Sequence, residues 1–83
     1  MNELKQAVDA IIKKDFKIAL EFLLPIARDG NASAQFYLGS FYFFGLGVIK
    51  NEKEAERLRS SAIKLFKEQS ENGDKEAILK LSR

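Results

Sequence analysis

Cysteine, histidine and tryptophan are all missing from this 83-residue chain, and proline occurs once. Without cysteine there can be no disulfide staple and no thiolate chemistry. Without histidine the commonest general base and the commonest metal ligand are gone. One proline and five glycines are too few for a β-rich or disordered chain, since turns and disorder both demand more of them. A dominant charge sign is missing too: 14 basic residues face 12 acidic ones, for a net charge of +2. Residues 1–30 hold five of each sign, so the small excess lies after Ile49. A nucleic-acid protein concentrates Lys and Arg on one face, whereas here acids and bases alternate as on a solvated surface. The first residues, Met1-Asn2-Glu3-Leu4-Lys5, have no basic region leading into an apolar run. No signal peptide is expected, and cytoplasmic residence is the default.

What is present is a soluble globular balance, with 46% hydrophobic and 31% charged residues. That supports one domain over 1–83 with a modest core. One stretch calls for a membrane test, because Asn31 to Ile49 carries no charge and is rich in Phe. Its length nearly spans a bilayer. Asn31, Ser33, Gln35, Ser40 and three glycines interrupt it, however, so a buried helix followed by a loop is expected.

The dominant period is helical. Leu4, Ala7, Val8, Ile11 and Ile12 predict a first helix over roughly residues 3–13. Asp15 is placed to cap a second, carrying Phe16, Ala19, Leu20, Phe22, Leu23, Leu24, Ile26 and Ala27. Pro25 lies inside it and predicts a kink, because it cannot donate to the Glu21 carbonyl. Gly30 suits a left-handed helix end and Asn31 a new cap. A third helix follows over about residues 32–44. The stretch Gly45-Leu46-Gly47-Val48-Ile49-Lys50 reads as a loop. Asn51 and Glu54 have capping-box spacing for a fourth helix, with Ala55, Leu58, Ala62, Ile63, Leu65 and Phe66, ending near Glu71. Gly73 and Asp74 repeat the stop-and-cap pattern, and Ala77, Ile78 and Leu81 predict a short fifth helix.

The chain also repeats itself. Asp15-Phe16-Lys17-Ile18-Ala19 precedes Asn51-Glu52-Lys53-Glu54-Ala55 by 36 residues. Gly30-Asn31 returns as Gly73-Asp74 after 43. The seven extra residues are nearly two helical turns, which keeps the apolar face in phase. A repeat of this length built from paired helices means a solenoid.

The segment Gly30-Asn31-Ala32-Ser33-Ala34-Gln35-Phe36-Tyr37-Leu38-Gly39-Ser40-Phe41-Tyr42-Phe43-Phe44-Gly45-Leu46-Gly47-Val48 closely resembles the Sel-one-like repeat, a relative of the tetratricopeptide repeat. That motif places small residues and Gln before Leu-Gly, then a Tyr, then Gly-x-Gly-Val. The resemblance covers about Asp15 to Ala62, with one complete repeat at about 30–72 and partial repeats on either side. It implies an all-α fold, a short right-handed α-α superhelix of about five helices. Leu58 stands where the family often has an aromatic residue, and the seven-residue insertion lengthens the fourth helix.

Ala34, Leu38, Phe41 and Tyr42 form the expected packing stripe of the third helix, and Gly39 lets a neighbouring helix approach. Phe36, Tyr37, Ser40, Phe43 and Phe44 form a second stripe. The family usually keeps the positions of Tyr37, Phe43 and Phe44 polar. An all-round apolar helix is either buried or part of an interface. Leu65, Phe66 and the fifth helix could cover these rings, or the rings could anchor a partner, as aromatics do at binding hot spots. Lys13, Lys14 and Lys17 cluster before and within the second helix, and Lys50, Lys53 and Arg57 follow the glycine loop. These read as a solvated face, and Lys13, Lys17, Lys50 and Arg57 would steer an acidic partner. Glu52 and Glu56 stand at i, i+4, a spacing common on exposed helices.

No motif for phosphate, metal or nucleophilic chemistry occurs, so neither an enzyme nor a cofactor site is expected. The resemblance implies a protein-protein interaction module. Small stand-alone bacterial proteins of this kind resemble immunity or inhibitor proteins that block a toxin or enzyme, or adaptors that assemble a complex. The short chain favours a one-to-one blocker. Self-association through uncapped ends stands beside these, and nucleic-acid binding is the rival from another class.

Overall fold

The computed structural model describes residues 2–71. Four helices follow one another, α1 (Glu3–Ile12), α2 (Phe16–Arg28), α3 (Ala32–Phe44) and α4 (Glu52–Glu71), and there is no strand among the described residues. The all-α expectation holds. Of the five helices expected, four are described, and the fifth, expected around Ala77, Ile78 and Leu81, lies outside the described residues.

Each helix packs against the next in chain order, α1 on α2, α2 on α3 and α3 on α4. The interior is built mostly from alanine. Among the described residues thirteen apolar side chains are buried, and eight are Ala: 7, 10, 19, 27, 32, 34, 55 and 62. Small side chains at the seams let helix axes approach closely. Leu20 and Leu23 from α2, Leu38 and Phe41 from α3 and Leu58 from α4 fill what remains. Phe16 meets Phe41 edge to face, with ring centroids 5.6 Å apart at 84°.

The stripe on α3 falls where the sequence puts it, with Ala34, Leu38 and Phe41 buried and Tyr42 half-buried. The stripe on α1 is narrower than expected. Ala7 and Ala10 are buried, while Ile12 is 73% exposed. Among the described residues α1 packs on α2, so only one narrow face of it is covered.

The turns show why the helices stop. After α1, the Lys14 N–H donates to the Ile11 carbonyl (2.9 Å) and the Asp15 N–H to the Ala10 carbonyl (2.8 Å). After α2, the Gly30 N–H donates to Ala27 (3.1 Å) and the Asn31 N–H to Ile26 (3.2 Å). Both are Schellman turns with a left-handed residue at the same place. In the second turn that residue is Gly30, at φ 91°; in the first it is Lys14, at φ 63°. A lysine there carries a steric cost that glycine avoids. The sequence expectation centred on Asp15 instead. Asp15 occupies the cap position, but its side chain makes no capping hydrogen bond. Asn2 and Asn31 do cap: their side-chain oxygens accept from the N–H groups of Lys5 (3.1 Å) and Ala34 (2.8 Å).

α2 runs on through Pro25, an exposed residue in its last turn. Gln35 ties α3 back to α2, its Nε2 donating to the Ala27 carbonyl at 3.1 Å. The loop over 45–51 folds against the same two helices. Leu46 and Val48 pack partly buried on the core. Gly47 holds a left-handed φ of 67°, and a Cβ there would crowd α2, 3.0 Å from Leu20 Cδ1 and 3.3 Å from Phe16 Cβ.

Candidate functional site

Helices α3 and α4 form an antiparallel hairpin. Asn51, just before α4, donates its N–H to the Tyr42 carbonyl at 2.9 Å. Gly39, further back on α3, faces the Ala55–Arg59 stretch of α4. A Cβ at Gly39 would lie 3.2 Å from the Ala55 carbonyl oxygen and 3.4 Å from Leu58 Cβ. The absence of a side chain at Gly39 therefore sets the closest approach of the pair.

Outward from that contact the helices diverge into a groove of about 680 Å³. Gly39 and Ala55 line its floor, where the two backbones come closest. The α3 wall is Phe36, Ser40, Phe43 and Phe44, a run at i, i+4, i+7 and i+8. The α4 wall is Glu52, Glu56, Arg59, Ser60 and Ile63. The antiparallel pairing places Phe43, Phe44 and Glu52 at the loop end, and Phe36 and Ile63 at the other. A smaller hollow of about 270 Å³ adjoins it, bounded by Ser33, Phe36, Tyr37 and Phe66.

The aromatic wall stays open. Phe36 and Phe43 are each 46% exposed and Phe44 67%. Phe43 and Phe44 pack edge to face, with centroids 5.0 Å apart, which fixes their rings as one surface. On α4 the expected core run divides. Ala55, Leu58 and Ala62 are buried, whereas Ile63 and Phe66 are 48% and 40% exposed. Phe66 thus borders Phe36, which stays open, and Tyr37, which is half-buried against the core.

Charge is concentrated on the α4 wall. Among the described residues Glu52, Glu56 and Arg59 make no ion pair or side-chain hydrogen bond. Glu54 and Arg57 are different, meeting in a two-pronged pair at 2.7 Å for each contact. That hydrogen bond holds the Glu54 carboxyl below its ordinary range, with the guanidinium charge adding to it and slight burial opposing it. The capping box at this helix is only half made. Asn51 Oδ1 accepts from the Glu54 N–H at 3.1 Å. The Asn51 N–H is already taken by Tyr42, and the Glu54 carboxylate by Arg57.

Of the residues singled out from sequence, the groove gathers Phe36, Ser40, Phe43 and Phe44, with Tyr37 in the adjoining hollow. It does not gather the basic ones. Lys13 lies in the turn after α1 and Lys17 in the first turn of α2, both exposed. Lys50 precedes α4, and Arg57 points its charge at Glu54. The sequence reading sets Glu52 and Glu56 aside as ordinary surface spacing, counts Ile63 in the apolar run of α4, and does not single out Arg59 or Ser60, all of which line the groove. The groove offers apolar contact area and unpaired charge. Among the described residues no group of three or more acidic, histidine or cysteine side chains could hold a metal ion, and no helix is long and apolar enough to cross a membrane. Compared with protein-family models, curated proteins and solved structures, the chain matches none.

Proposed function

We propose that this chain is a short helical-repeat protein of the Sel-one-like kind, and that its α3/α4 groove binds a partner protein without catalysing a reaction. The packing of each helix on the next in chain order supports the repeat reading, as does Gly39, which serves the close packing that such a repeat requires. The observation that carries the functional reading is the groove itself. Three phenylalanines on one helix stripe stand about half exposed or more, opposite a wall with unpaired charge. An aromatic surface of this kind is costly to leave in water and is the side-chain type that dominates binding hot spots. A groove of this size on a small domain suits one-to-one binding, so the partner is a protein that this chain blocks, in the manner of an immunity or inhibitor protein.

The test uses matched baits. Wild-type chain, Phe44→Ser and Lys13→Glu are immobilised at equal density, and captured proteins are quantified by mass spectrometry. A partner held by wild type and Lys13→Glu but lost from Phe44→Ser supports the reading, and its activity should fall when soluble wild-type chain is added. Equal capture by all three baits refutes it.

A further inference from the structure

The groove has a charge order as well as a shape, and the order selects an occupant. We propose that it takes a basic amphipathic helix from the partner protein, with Lys or Arg set against Glu52 and Glu56 and apolar side chains laid along the phenylalanine wall. This rests on the reading of the groove as a partner site and names the chemistry of what enters it.

Size comes first. Phe36 to Phe44 is eight residues of α3, or about 12 Å of helix, and Glu52 to Ile63 is about 16 Å of α4. Two to three turns of a docked helix fill that length. Its apolar side chains, recurring at i, i+3 or i+4 and i+7, match the i, i+4, i+7, i+8 run of Phe36, Ser40, Phe43 and Phe44, which is the helix-in-groove mode of recognition.

Charge decides the rest. Glu52 and Glu56 are one turn apart on the wall facing Phe43 and Phe44, and neither carboxylate has a partner among the described residues. A cationic side chain entering there meets carboxylates on one side and aromatic rings on the other, and both attract it. An acidic side chain would meet repulsion from two carboxylates. Arg59, one turn further along, requires a neutral or acidic residue from the occupant at that level. The far end, with Phe36 and Ile63, is apolar. The order along the occupant is therefore basic, then neutral or acidic, then apolar.

The chain itself offers one competing occupant, residues 74–83, with Ala77, Ile78 and Leu81 at helical spacing.

The test is fluorescence anisotropy of two labelled 14-residue peptides against the full chain. Both carry the same Leu and Ala stripe; one has Lys and the other Glu on its polar face. The Lys peptide is expected to bind about tenfold tighter at low salt, with the gap narrowing as salt rises. In Glu52→Lys/Glu56→Lys the preference should reverse. Phe43→Ser/Phe44→Ser should weaken the Lys peptide about tenfold or more. These positions are exposed, and circular dichroism confirms that each variant is folded. Equal binding of the two peptides, or a Lys preference that survives the charge reversal, overturns the basic-helix proposal. If both peptides bind equally and both are lost with the phenylalanines, the occupant's charge is wrong while the groove reading stands. Binding indifferent to the phenylalanines sinks the groove reading with it. Tightening of the Lys peptide in Ile78→Ser would mean that the chain's own segment fills the groove. A dimer in sedimentation that dissolves in Phe44→Ser would mean that a second copy does. Either result overturns the proposal.

Discussion

Phe41 and Phe44 sit three residues apart on α3, yet truncating them should have very different consequences. Phe41 is 2% exposed and meets Phe16 edge to face at 5.6 Å. Removing its ring should destabilise the fold by about 3–5 kcal/mol, the usual range for a buried phenylalanine reduced to alanine. Phe44 is 67% exposed, so about a third of a ring's roughly 200 Å² leaves contact, or about 1.5 kcal/mol at 25 cal/mol per Å². Alanine's better helix propensity returns about 0.5 kcal/mol in both cases. The net expectations are about 2.5–4.5 kcal/mol for Phe41→Ala and about 1 kcal/mol for Phe44→Ala. In a domain of this size each kcal/mol moves the melting temperature by about 4–8 °C, so the two variants should melt at least about 6 °C apart. Thermal melts followed by circular dichroism at 222 nm measure this directly. Phe44→Ala melting as low as Phe41→Ala would place Phe44 in the core and refute the division of α3 into a packing face and an open face.

Four further outcomes follow from local geometry. Gly39→Val should destabilise by about 2 kcal/mol or more, because even its Cβ would press on the backbone of α4; a urea midpoint unchanged from wild type would contradict the close approach. Lys14→Gly should stabilise by about 0.5–1 kcal/mol, since it relieves a left-handed lysine within an intact Schellman turn; a lower melting temperature would count against it. Asn51→Ala should lose about 1 kcal/mol with the cap of α4, measured in the same urea titration. Glu54, held below its ordinary range by the Arg57 hydrogen bond, stabilises the fold above the unfolded carboxylate pKa and loses that contribution as pH falls through its depressed value. The melting-temperature gap between wild type and Glu54→Gln should therefore close in acid, and a gap constant with pH would show the pair to be unimportant.

Most of the helical framework is legible in the sequence because its signals are local. Asn31 caps α3 and Gly30 ends α2 within one or two residues of each other, and no distant contact is needed to read them. Asp15 misled for an equally local reason. Its residue type suits a cap, but the left-handed turn is carried by Lys14, which residue preference does not favour there. The α1 face was overestimated at Ile12, because periodicity says which residues share a stripe and not how wide a neighbour is. The groove was legible only in part. Its aromatic wall announces itself through composition. Its acidic wall consists of ordinary surface residues that matter only because α4 folds back along α3.

α3 explains why sequence could not decide between core and interface. On most helices an apolar stripe opposes a polar one, and the period points inward. On α3, Leu38 and Phe41 face the core while Phe36, Phe43 and Phe44 face out, so the period points both ways. What separates the two stripes is side-chain size at the seams. Ala32 and Ala34 are buried and Gly39 meets the α4 backbone, while Phe36, Phe43 and Phe44 flank the Gly39 contact in the groove. Large rings are thereby excluded from the very contacts that a larger core would have given them. Among the described residues, an interior filled mostly by alanine thus leaves Phe36, Phe43 and Phe44 about half exposed or more on one wall.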